Sequence, residues 1–312
     1  MSTAFFHHPD CEAHDMGDDH PESPKRLKAI RDRLTETGLM DQLLVTDAEE
    51  ASRDELRRAH PDNYIDQLEQ MAPTKGRIMA DPDTMMTPHS LRAAKLAAGS
   101  GVQAVNQVLV NQARNAFCAI RPPGHHAERS RTMGFSFFNN VAVAALHALS
   151  FHHLERVAIL DFDVHQGNGT IDIFQHDPRV LMCSSFQHPF YPFKHYHGMP
   201  DHVMNVMLKA GTKSEAYRQA IIEGWLDALD RFRPQLILVS AGFDAHRLDP
   251  LADVELETED YLWITDTITS VARTHCRGRV VSMLEGGYNL QVLADGVENH
   301  VRGLLEAGNP SA

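Results

Sequence analysis

The chain has 312 residues, with 29 Lys and Arg against 42 Asp and Glu, for a net charge of −13. That length suits one large α/β domain or two small ones; no linker, low-complexity tract or repeat marks a boundary, so 1–312 reads as a single domain. The acidic balance argues against nucleic acid as a partner, and the lack of a signal pattern or a bilayer-length apolar run predicts no membrane partner and a soluble protein of the cytosol.

Residues 1–22 are rich in Asp, Gly and Pro and read as an irregular segment, with His14 and His20 as ordinary loop histidines. Ser23-Pro24 predicts a helix to about Thr37, capped by Ser23 and ended by Gly38, with Leu27, Ile30 and Leu34 on its apolar face. A second helical region is expected over 54–70, interrupted near Pro61, then a loop over 71–88 and a small-residue helix from Ser90 to Val110. From residue 116 a pattern repeats. Apolar runs at 116–120, 157–160, 236–239 and 280–284 each stop at a glycine-bearing loop that carries His, Asp or Tyr. Helices are predicted between them, over 140–154, 212–232 and 258–274, the second opened by a capping box at Thr212-Lys213-Ser214-Glu215. Strands alternating with helices predict an α/β fold with a central parallel sheet flanked by helices, its ligand site beyond the carboxyl ends of the strands. Cys118 and Cys183 lie in apolar runs, and with no closely spaced pair they read as buried thiols.

The organising stretch is Asp161-Phe162-Asp163-Val164-His165-Gln166-Gly167-Asn168-Gly169, directly after the buried run Val157–Leu160. On a strand, residues two apart face the same side, so Asp161, Asp163 and His165 project together. Carboxylates and an imidazole at the end of a buried strand are costly unless paired, and a divalent metal such as zinc suits them. Taken alone, the stretch is equally compatible with a glycine-rich turn bearing a solvated acidic edge.

Together, Arg121-Pro-Pro-Gly-His-His-Ala127, Gly134-Phe-Ser-Phe-Phe-Asn139, the Asp161–Gly169 stretch, Ala241-Gly-Phe-Asp244 and Glu285-Gly-Gly-Tyr288 resemble the zinc-dependent histone deacetylase superfamily, with its arginase-like fold. The forms present are similar to the class II branch and its bacterial amidohydrolase relatives, some of which act on acetylpolyamines. The resemblance implies Asp163, His165 and Asp244 as ligands of one zinc ion. It implies His126 as general base and acid, with Asn168 as its partner, His125 oriented by Asp161, and Tyr288 as donor to the oxyanion, on a loop that Gly286 and Gly287 leave free to move. Phe135 and Tyr191 match the walls of an acyl-lysine tunnel, Tyr191 standing where the family usually has Phe, with Phe190 assignable to the core. Leu251 and Asp83 match rim positions, and an apolar Leu251 argues against polyamine selectivity, although Asp253 is near. Asp161, Asp163 and His165, with Ser184 and Ser185, match a potassium site, and Arg26 matches an internal arginine associated with acetate release, with a structural ion pair as the other reading. The expected activity is hydrolysis of acetyl or short acyl groups from lysine side chains by a water activated on the metal. A small acylated amine such as an acetylpolyamine is the alternative substrate. A non-catalytic acyl-lysine-binding module would fit a chain lacking His126, Tyr288 or a ligand, and none is replaced here. A homo-oligomer is left open.

Overall fold

A computed structural model describes residues 2–195 and 197–308. In chain order its strands are β1 (Thr3–His7), β2 (Leu44–Asp47), β3 (Ile78–Asp81), β4 (Thr84–Met86), β5 (Asn115–Cys118), β6 (Val157–Asp161), β7 (Val180–Gln187), β8 (Val203–Leu208), β9 (Leu236–Ala241) and β10 (Val280–Leu284). Its helices are α1 (Lys25–Glu36), α2 (Arg53–Ala59), α3 (Asp62–Met71), α4 (Ser90–Leu109), α5 (Asn140–Ser150), α6 (Asn168–Phe174), α7 (Ser214–Ile221), α8 (Asp227–Phe232), α9 (Thr258–Cys276) and α10 (Leu290–Gly308). Eight strands form one sheet in the order β2-β1-β5-β10-β9-β6-β7-β8, and every pairing in it is parallel. The strands β5, β6, β7, β9 and β10 are buried along their whole length. That is why β5, β6, β9 and β10 read as largely apolar runs rather than alternating ones.

Helices cover both faces. Met283 and Ser282 are adjacent on β10 and so point to opposite sides. The Met283 side chain meets Gly101 of α4 so closely that a Cβ there would lie 2.7 Å from Met283 Cε. Ser282 Oγ bonds His300 Nε2 of α10 at 2.8 Å. The small residues of α4 therefore serve close packing on one face, while α10, with α1 and α9 against it, closes the other.

Several expectations change. Thr3–His7 is a strand and not irregular chain, and the segment after it is not solvated: His14 and Glu22 are fully buried. The reason is long-range charge pairing. Glu22 takes hydrogen bonds from Arg26 Nη1 at 3.1 Å and from Arg121 Nη2 at 2.6 Å, which offsets the cost of burying each charge. Residues 78–86 form the antiparallel β3–β4 hairpin and not a loop. Ser23 gives α1 no side-chain cap, and the capping box at Thr212 does not form, since the Thr212 hydroxyl donates to Lys209 O instead. The helix expected over 212–232 is two helices joined by a π-helical turn at Ile222–Leu226. All four cysteines are free and buried. Among the described residues no helix is long and apolar enough to cross a membrane.

Candidate active site

The loops after β5, β6, β9 and β10, four adjacent strands, converge at the carboxyl end of the sheet. There Asp163, His165 and Asp244 bring one ligand atom each within 4.8 Å of one another. His165 Nδ1 lies 3.1 Å from Asp163 Oδ1 and 3.1 Å from Asp244 Oδ2. Ligands of a tetrahedral zinc ion, at about 2.0–2.1 Å from the metal, stand roughly 3.3 Å apart, so this spacing fits such an ion. The far sides of the carboxylates are fixed by backbone donors: Gly286 N–H to Asp163 Oδ2 at 2.8 Å, and Val164 N–H to Asp244 Oδ1 at 3.0 Å. No larger residue fits at 286, because a Cβ would lie 2.1 Å from Asp244 Oδ2. The glycine thus serves close approach to the carboxylates. Together with the anchors of Tyr288 described below, this replaces the expected loose loop with a pinned one.

The tandem histidines are oriented by different partners. His125 Nδ1 donates to Asp161 Oδ2 at 3.0 Å. Burial disfavours a charged His125, but the carboxylates of Asp161, Asp163 and Glu285 outweigh it and hold its pKa well above the ordinary imidazole value. His126 Nδ1 meets Asn168 Oδ1 at 2.7 Å. Asn168 turns its oxygen that way because its Nδ2 donates to Glu128 Oε1 at 2.9 Å. An amide oxygen only accepts, so His126 carries its proton on Nδ1 and leaves Nε2 free to take one. Burial, and then the neighbouring His125 and His165, push His126 well below the ordinary value, so it is neutral at pH 7.

His126 and His165 line a cavity of about 270 Å³, together with Asp83, Gly134, Phe135, Tyr191, Leu251 and Tyr288. The expected wall, rim and phenol residues therefore meet the expected metal group in one space. Tyr191 sets its ring edge-on to His126 at 5.1 Å, and Phe135 does the same to Tyr288 at 6.1 Å. Phe190 is not in the core; it stacks on His165 at 5.3 Å. Phe135 sits at φ +66°, a left-handed conformation uncommon outside glycine. The β3–β4 hairpin holds it there: Gly134 N–H donates to Asp83 Oδ1 at 3.0 Å, and Phe135 N–H to Thr84 Oγ1 at 3.0 Å.

Tyr288 is held from behind. Its N–H and that of Asn289 donate to Asp249 Oδ2 at 2.6 and 3.2 Å, and the Arg26 guanidinium lies 5.1 Å from its ring centre. Arg26 also donates from Nε to Gly287 O at 2.7 Å and from Nη1 to Glu22, so each of these nitrogens is engaged in holding structure. Burial, then the Asp244 carboxylate, raise the Tyr288 phenol well above the ordinary value and keep it a donor. At the expected potassium position, Ser184 pairs in register with Asp161. Its buried hydroxyl has no hydrogen-bond partner among the described residues. Ser185, next on the strand, turns its side chain to the other face.

Sequence reasoning missed two carboxylates. Glu285 is buried and accepts from Gly124 N–H at 2.7 Å, His125 N–H at 3.1 Å and the Ser240 hydroxyl at 3.0 Å, tying the loop after β5 and strand β9 to the loop after β10. Burial pushes its pKa up to about 7. Asp249 has the equivalent task for Tyr288. An acidic residue immediately before or shortly after a catalytic-type loop was the available signal.

A family model described as a histone deacetylase domain matches residues 20–304. The chain is 38% identical over 278 residues to the histone deacetylase-like amidohydrolase of Pseudomonas aeruginosa, covering 86% of this chain and 73% of that protein. It is 35% identical over 335 residues to the polyamine deacetylase HDAC10 of Homo sapiens, covering all of this chain and 49% of that protein. The crystal structure of the HDA15 HD domain superposes with a TM-score of 0.92 at 32% identity, covering 98% of this chain and 90% of that one. With the sheet, the converging loops and these matches in agreement, the chain belongs to the histone deacetylase family.

Proposed function

We propose that the protein is a zinc-dependent amidohydrolase of the cytosol that removes acetyl or short acyl groups from lysine side chains. Family membership supports deacetylase or amidohydrolase activity. The observation that carries the finer reading is the placing of His165 Nδ1 3.1 Å from two carboxylates, on the wall of a cavity that His126 and Tyr288 also line. Zinc held by Asp163, His165 and Asp244 would supply a Lewis acid that acidifies a water molecule and polarises the acyl oxygen. His126 Nε2 takes the proton of the attacking water and returns it to the departing amine. The Tyr288 hydroxyl donates to the oxygen that gains charge. His125, fixed by Asp161, sets its ring 4.1 Å from that of His126, tilted by 43°, and holds it in place. Phe135 and Tyr191 cover the methylenes of the lysine. The unpartnered Ser184 hydroxyl supports a potassium ion beside Asp161.

The second reading is a small acylated amine, favoured by the likeness to a polyamine deacetylase. Against it, Leu251 lines the cavity without a charge. Asp253 is not among the residues lining that cavity, and its Oδ2 accepts from Gln187 Nε2 at 3.1 Å. The test is an acyl-substrate panel on protein of measured metal content. The wild type should hydrolyse an acetyl-lysine amide. Tyr288→Phe should keep its metal and lose roughly 10²–10³ in kcat. Near wild-type turnover by that variant refutes its role, and a strong preference for N-acetylputrescine reverses the choice of substrate.

A further inference from the structure

One contact in the cavity has no part in the proposed reaction. The Tyr191 hydroxyl donates to Asp83 Oδ2 at 2.9 Å, joining the β3–β4 turn to a loop 108 residues later in the chain. The other oxygen, Oδ1, accepts the Gly134 N–H at 3.0 Å and the Thr84 hydroxyl at 2.7 Å. An ionised carboxylate offers about four acceptor positions, so these three donors leave about one. Asp83 is also the only carboxylate among the described residues lining the cavity.

An acyl-lysine within a peptide brings its own backbone N–H, and that of the next residue, to the edge of such a cavity. One vacant acceptor position cannot take both. For the backbone to claim Asp83, Tyr191 would have to give up its bond and leave a half-buried hydroxyl without that partner, which costs free energy. Leu251, also on the cavity wall, has no side-chain acceptor to offer instead.

We propose that Tyr191 is a specificity-determining residue: by occupying Asp83, its hydroxyl makes the site read the acyl group and its methylene stem and not the backbone that carries them. The inference rests on the amidohydrolase reading of the same site. The substrate class it implies is an acyl group on a long alkylamine, whether that amine belongs to a peptide or stands alone.

The experiment uses the zinc-loaded full chain and two acetyl-lysine peptides. They are identical except that in one the acetyl-lysine N–H and the following N–H are methylated. The wild type should give nearly equal kcat/KM on the two. Tyr191→Phe should favour the unmethylated peptide by about tenfold, through KM, as expected for a hydrogen bond to a freed carboxylate. If the phenylalanine variant does not fold, Tyr191→Leu removes the same hydroxyl. A wild-type enzyme that already favours the unmethylated peptide about tenfold overturns the inference, as does a variant whose ratio stays at the wild-type value. A wild type that hydrolyses no acyl amide overturns the amidohydrolase reading itself, and the inference with it.

Discussion

Replacing Gly286 by alanine asks whether Asp163 and Asp244 are held where a metal requires them. The new Cβ would lie 2.1 Å from Asp244 Oδ2 and 2.5 Å from Asp163 Oδ2. Ordinary contact needs about 3.5 Å, so Asp244 or the backbone must retreat by about 1.4 Å and Asp163 by about 1 Å. If the backbone retreats, the 2.8 Å bond from Gly286 N–H to Asp163 is lost. If the carboxylates retreat, the metal loses a ligand, because coordination distances tolerate only about 0.2 Å. Loss of an outer partner costs roughly 10–100-fold in metal affinity, and displacement of a ligand itself should reach at least about 100-fold. Zinc affinity is measured by competition with a chromophoric chelator, with far-ultraviolet circular dichroism to show that the variant is folded. A folded Gly286→Ala protein that binds zinc within about threefold of wild type would falsify the assignment of this trio.

Stripping the metal with a chelator should lower Tm by on the order of 8 °C, the effect of losing a ligand present at about a thousand times its Kd. Zinc should restore it, and an unchanged Tm in verified apo-protein contradicts the site. Buried ionisable groups should make stability depend on pH in two separate ranges, read by urea unfolding at stepped pH. Burial holds His14 and His60 down to about 4 and His300 to about 3. Their unfolded forms bind protons first, so their contribution falls as pH drops below about 6.5, opposed by Glu285 and Asp249, whose folded pKa values of about 7 make them bind protons first in the folded state. Glu22 is a carboxylate that burial would push up, but Arg121 and Arg26 bring it down to about 2. Its contribution, on the order of 3 kcal/mol, is complete above pH 4.5 and is lost as pH falls toward 2. Glu22→Gln should therefore flatten the limb below pH 4.5 and leave the slope above it; a variant with the wild-type slope there contradicts the pairing.

The catalytic end of the sheet is legible in the sequence because each site-bearing strand is buried on both faces and then breaks abruptly into charge. The residue types at those breaks suggest the chemistry, and the resemblance supplies Asp244 and the division of labour between His125 and His126. Other parts leave no such mark. β2 is exposed at a sheet edge, and β7 carries Ser184-Ser185 within its buried run, which disguises it. His14 and Glu22 lie in a stretch whose local composition says solvent. Their burial depends on Arg121, about a hundred residues away, and no periodicity records that pairing. Glu285 and Asp249 act by accepting backbone N–H groups, and which backbone turns toward them is decided only once the loops are folded.

The place of β10 has a consequence for synthesis of the protein. Of the strands described in this sheet it is the last to be synthesised, yet it lies between β5 and β9. Until residues 280–284 emerge, the nascent sheet is split into two halves, each presenting an unsatisfied apolar edge to its surroundings. Chains interrupted before that point should be prone to sticking together and should need a chaperone. The same late insertion delivers Glu285, Gly286 and Tyr288, so no shorter amino-terminal fragment can assemble the metal-holding pocket.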